Sequence, residues 1–157
     1  MTASGVVVIG IGNEFRRDDG AGPAAVERLR GRVPDHVRLV VSEGEPADLL
    51  EAWTGAGLAI VVDAVGGAGS PGRLHRLVAV GGAVPGLDAA GADASTHGLG
   101  LGTAVGLSRA LGRMPAALVV HAVEGCDFGH GRGLSPAVGA AIDDLAAAVL
   151  ADVGGPS

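Results

Sequence analysis

Apolar runs recur along the chain, and their periods differ. Val6–Ile11 is continuous, largely β-branched and bounded by glycine, which suits a strand buried on both faces. Val37–Val41, Leu58–Val65 and Leu118–Val123 read as strands too, while Leu74–Val80 alternates more and fits a sheet edge. Helical stretches fall between them. Pro23–Leu29 is helix-compatible, with its proline tolerated in the first turn. "EPADLLEAWTGAG" sets Leu49, Leu50 and Trp53 on one side, with Gly55 as the stop. "STHGLGLGTAVGLSRAL" predicts a helix over His97 to Leu111 with Ser95 or Thr96 as its cap. Ser135-Pro136 opens a last helix reaching Leu150. Residues 81–94 form a Gly/Ala/Pro loop without a period.

Strands alternating with helices predict an α/β layered domain with a mostly parallel sheet, whose sites gather beyond the carboxyl ends of the strands. No repeat or linker interrupts the order, so residues 1–157 read as one domain. Composition agrees: 48% apolar against 18% charged residues favours a compact core. All 11 basic residues are arginine, a compositional bias that gives any single arginine little functional weight. The net charge of −6 argues against a nucleic-acid surface. No run approaches the roughly 18–20 apolar residues of a membrane span, and the N-terminus lacks the basic region and cleavage site of a signal peptide. Cys126 stands alone, which excludes an intrachain disulfide. A cytoplasmic protein without membrane contact is expected.

The chemistry concentrates in "GIGNEFRRDDGAGPAAVERL", Gly10 to Leu29. Glycines between a strand and a helix usually cradle a phosphate, but Phe15 occupies the third glycine position of the dinucleotide fingerprint. The Gly-Lys-Ser/Thr of a P-loop is impossible in a chain without lysine. Asp18 and Asp19 at the helix entrance would repel a pyrophosphate, although an acid there also serves as an ordinary cap. Asp63 ends "AIVVD", where a buried strand prefers an aliphatic residue, so it calls for a hydrogen-bonding or metal-binding partner. His97 begins a helix, where the dipole favours a neutral ring with a lone pair to donate. In a parallel sheet the exits of the first and third strands share an edge that His97 can reach. Two carboxylates and an imidazole suit a divalent cation with open positions.

At these residues the chain resembles the hydrogenase maturation proteases, endopeptidases that process the large subunit of nickel–iron hydrogenases. The likeness covers nearly the whole chain: the opening G-x-G-N…D-[DE]-x-x-G segment, "VVDAV", "STHGLGLGTAVGLSRAL" and "VEGCDFGHGRGLSPAVGAAI" occur in family order. It implies a three-layer α/β/α sandwich around a twisted, mostly parallel five-stranded sheet with one antiparallel edge strand. It also implies metal contacts at Asp19, Asp63 and His97, with Asp18 as the fallback for Asp19 or as a residue that orients or caps that first loop. The implied activity is removal of a C-terminal extension from a hydrogenase large-subunit precursor after nickel insertion. Nickel would arrive with that substrate, and other divalent ions could fill the site. Whether the metal is catalytic or only recognised stays open, as does a non-proteolytic, nickel-checking factor of the same fold. "SEGEPADLL" departs from the family's Asp-Gly-Gly segment, which leaves precursor selectivity open. Cys126 and His130 lie four apart in a glycine-rich loop with no base-orienting residue, a poor nucleophile pair.

Overall fold

In the computed structural model, residues 5–66, 69–79 and 96–154 are described, with side chains from Gly100 onward in the last stretch. Val80, the predicted loop 81–94 and the capping Ser95 lie outside the described residues. The elements are β1 (Val6–Ile11), a 3-10 turn (Arg17–Gly20), α1 (Ala21–Leu29), β2 (Val37–Ser42), α2 (Pro46–Trp53), β3 (Leu58–Val65), β4 (Leu74–Ala79), α3 (Thr96–Leu111), β5 (Ala117–Glu124) and α4 (Pro136–Val153).

The strands form one sheet in the order β2-β1-β3-β5-β4, parallel throughout except for β4, which runs antiparallel to β5 at an edge. The unbroken apolar character of β1 follows from its two covered faces. Val6 and Val8 pack with Ala25, Val26 and Leu29 of α1 and with Val138, Ile142 and Leu145 of α4. Val7, Ile9 and Ile11 pack with Leu49 and Trp53 of α2 and with Leu101, Ala104 and Val105 of α3. Helices on both faces make the expected three-layer sandwich. The buried Trp53 indole satisfies its N–H on the Ser108 hydroxyl of α3 at 2.9 Å, so the two helices on that face are also joined by a polar contact.

Several element ends differ from the sequence pattern, and three of them have a visible reason. Helix α1 starts at Ala21, two residues before Pro23, because an N–H missing from the first turn costs no intrahelical bond. Strand β5 runs on to Glu124 and helix α4 to Val153, and each extension includes a buried acid, Glu124 or Asp152, with a partner on β4. Glu124 accepts from the Ser70 N–H at 3.1 Å and pairs with His75 Nε2 at 2.6 Å. Asp152 accepts a forked pair of bonds from Arg76, at 3.1 and 2.6 Å, and meets His121 Nε2 at 2.6 Å. His75 and His121 belong to no sequence motif, yet they tie the antiparallel edge strand to the rest of the fold.

These ties make stability depend on pH. Burial pushes the His121 imidazole below its ordinary value of 6.5, against the pull of Asp152. Burial opposes ionisation of Asp152, yet hydrogen bonds from Arg76 and His121 hold its carboxyl below the ordinary 3.8. The His75 bond does the same for Glu124, below 4.5. In all three cases the folded chain binds fewer protons than the unfolded one, so their contribution is present above the unfolded values and is lost as pH falls. The melting temperature should therefore begin to fall below about pH 6.5, from the histidine, and fall further through the carboxylate range. His121→Gln, which keeps a donor for Asp152 but does not titrate, should flatten the first part of that decline in melts followed by circular dichroism.

Candidate functional site

From β1 the chain crosses to β2 on one side and then returns to place β3 on the other. The winding direction reverses between β1 and β3, and in open parallel sheets a crevice forms there beyond the carboxyl ends. Two of the predicted site residues fall at this point. Asp19 lies in the 3-10 turn that follows β1, and Asp63 is one residue past Val62, the register partner of Gly10. Both are buried, at 2% and 3% exposure. Asp19 Oδ2 accepts the Asn13 N–H at 3.0 Å, and Asp63 Oδ1 accepts the Ala64 N–H at 2.8 Å.

Gly12 explains why a glycine loop leads to acids instead of a phosphate. Its φ of +148° and its contact with the folded-back turn exclude a side chain: a Cβ there would lie 1.8 Å from the Asp19 carbonyl oxygen. The glycine lets an acidic turn close over the end of its own strand.

The alternation of β3 fixes which face Asp63 addresses. Ala59 and Val61 pack with α2 and α3, so Asp63, two residues further, points to the same layer. The first turn of α3 carries His97, whose side chain lies outside the described residues. The loop after β2, where "SEGEPADLL" departs from the family pattern, reaches this helix as well: a Cβ on Gly100 would come within 2.4 Å of the Gly44 carbonyl oxygen.

Asp18 has a different task from its neighbour. Fully buried, its carboxylate accepts the N–H groups of Cys126 at 2.8 Å, Asp127 at 3.0 Å and Ser135 at 2.7 Å, and the Ser135 hydroxyl at 2.9 Å. Burial works against its charge, but these bonds hold the carboxyl below the ordinary range. The two segments are further zipped by Arg17 N–H to Gly131 O at 2.9 Å, Gly131 N–H to Phe15 O at 2.8 Å and Asp18 N–H to Asp127 O at 2.8 Å. Asp18 thus anchors the 125–135 loop to the turn after β1, a role on a distant segment that the sequence did not signal. That loop also contains Cys126, which is exposed and is held through its backbone N–H. No sequence signal connects Asp18 with Ser135, 117 residues away.

Two buried carboxylates side by side in the strand order offer hard oxygen donors, and burying such charge is costly without a compensating cation or donor. Among the described residues no group of three His, Cys, Asp or Glu side chains is arranged to hold a metal ion, so a third donor depends on His97. The donor chemistry fits a divalent ion at Asp19 and Asp63.

The α/β/α sandwich is an architecture shared with solved endopeptidases. The chain is similar to the hydrogenase maturating endopeptidase HybD from E. coli, with 26% identity, a TM-score of 0.82 and 95% of this chain and 91% of that one covered. It is similar to the hydrogenase 2 maturation peptidase of a Thaumarchaeota archaeon, with 26% identity, a TM-score of 0.70 and coverage of 96% and 99%. At 19% identity and a TM-score of 0.72, the [NiFe] hydrogenase maturation protease HybD from Thermococcus kodakarensis shares the fold, over 95% of this chain and 99% of that one. Comparison with curated protein sequences returned no match. The family model HycI, hydrogenase maturation protease, matches residues 23–152. The chain belongs to the hydrogenase maturation protease family, which makes it a hydrolase by class. Among the described residues no helix is long and apolar enough to cross a membrane.

Proposed function

We propose that this protein cuts the C-terminal extension from a nickel–iron hydrogenase large-subunit precursor after nickel has been installed, and that Asp19, Asp63 and His97 engage the nickel the substrate brings. The observation that supports it best is the pair of buried carboxylates at the switch point between β1 and β3. Asp19 is steadied by the Asn13 amide and Asp63 by the Ala64 amide, so both are oriented in advance of any ion. A divalent metal in that position supplies Lewis acidity toward a peptide carbonyl or a water. The protein's own part is to present oxygen donors from a dry strand end and to hold the chain entering the crevice.

A second reading, a factor that checks nickel without cleaving, is favoured by the unhelpful Cys126–His130 spacing, which offers no alternative nucleophile. One assay separates the two. Purified protein incubated with nickel-loaded precursor should release the C-terminal peptide, and nickel-free precursor should stay intact. Loaded precursor that binds but is never shortened would establish the second reading.

A further inference from the structure

We propose that Arg17 receives an acidic side chain of the precursor's C-terminal extension, in a cleft beside the turn that carries Asp19; the identity of this partner rests on the function proposed above. Arg17 is the non-glycine residue with positive φ among the described residues, at +53°. Such a conformation persists only where surrounding contacts fix it, and it clusters at binding sites. Here the fixing contacts are visible. The Arg17 N–H donates to Gly131 O, and its guanidinium lies against the Gly131 backbone, where a Cβ would meet Nε, Cζ and Nη2 at 2.7–2.8 Å. Gly131 itself has a φ of +133°. Arg17 Nη1 donates to the Arg132 carbonyl at 3.1 Å, so the cation is braced by backbone.

The cleft it lines has a volume of about 670 Å³, within the range of ligand pockets, and runs past Gly20, Pro23, Val41 and Leu134. Its other charged groups are already paired: Arg132 with Glu14 at 3.4 Å, Glu27 with Arg30 at 2.9 Å, and Arg28 with Asp143 at 2.5 Å. Arg17 makes no ion pair among the described residues. A braced cation with donors to spare asks for a carboxylate. Terminal carboxylates are commonly captured by clustered backbone N–H groups, whereas acidic motifs are read by arginine, so the fit is to an acidic side chain. Phe15, 56% exposed, lies under Arg132, a cleft residue 5.2 Å from its ring centroid, so an apolar ring stands at the rim for neighbouring residues of the same tail.

The test uses Arg17→Gly, which removes the guanidinium and relieves the left-handed backbone, so loss of folding does not confuse the result. The full chain is titrated onto a fluorescein-labelled peptide carrying the extension of a large-subunit precursor, and onto the same peptide with Asp and Glu changed to Asn and Gln. Neutralising the peptide or replacing Arg17 should each raise Kd about tenfold, as loss of one charged hydrogen-bonded contact does, and the two effects should not add. In cleavage assays Arg17→Gly should raise KM with kcat retained. Arg38→Gln, on β2 and bonded to the Ala52 carbonyl, serves as the control without effect. Unchanged Kd and KM in Arg17→Gly, in a protein that cleaves, would overturn this inference and leave the protease reading intact. Arg17-dependent binding of the acidic peptide without cleavage would do the reverse. A wild-type protein that neither binds the acidic peptide nor cleaves would remove both.

Discussion

Alanine at Asp19 or Asp63 is expected to abolish processing of nickel-loaded precursor, by more than about a hundredfold, since outer-shell partners of a metal alone cost 10–100-fold. His97→Ala should do the same. The decisive comparison is with stability. Asp63→Asn is nearly isosteric and keeps an oxygen for the Ala64 N–H, so its melting temperature should match that of the wild type. A ligand role thus predicts lost activity in a chain as stable, whereas a purely structural carboxylate predicts both falling together. Gel-shift of the precursor and thermal melts on the same preparations read the two quantities. Normal processing in two of the three alanine variants would remove the assignment of the site.

Asp18→Ala should give the largest loss of stability of any single exposed-loop or turn substitution in this chain. Four donors from Cys126, Asp127 and Ser135 converge on that buried carboxylate, and alanine leaves them without their acceptor. At the usual cost of unsatisfied buried donors, and with water reaching some of them, the expected loss is about 3–4 kcal/mol in urea unfolding. That is a large share of the roughly 5–15 kcal/mol available to a domain. Asp18→Asn, which keeps one acceptor oxygen, should fall between. A loss under about 1 kcal/mol would mean that the 125–135 loop is held by the Arg17–Gly131 and Asp18–Asp127 backbone bonds alone.

The contrast between Asp18 and Asp19 shows where sequence reasoning stops. Adjacent acids at a helix entrance have equal claims as ligand, cap or loop anchor, because all three roles ask for the same residue type. Their side chains diverge in the 3-10 turn, one toward the Asn13 amide and the other toward Ser135, and that divergence exists only once distant segments meet. Arg17 gave no signal at all, since a chain whose basic residues are all arginine cannot mark one of them by its type. Its left-handed backbone and its seat on Gly131 are products of the zipped loops.

What the sequence determined by itself was the layered order of strands and helices, because burial on two faces demands continuous apolar runs and helices demand a 3.6-residue stripe. It also marked Asp63, because a carboxylate has no place in a buried strand without a purpose. Tertiary structure alone decided the strand order on either side of β1, the pairing of His121 with Asp152, and the bonds from Asp18 to the 125–135 loop. Those are contacts across long stretches of chain, and local pattern carries no information about which distant partner will arrive.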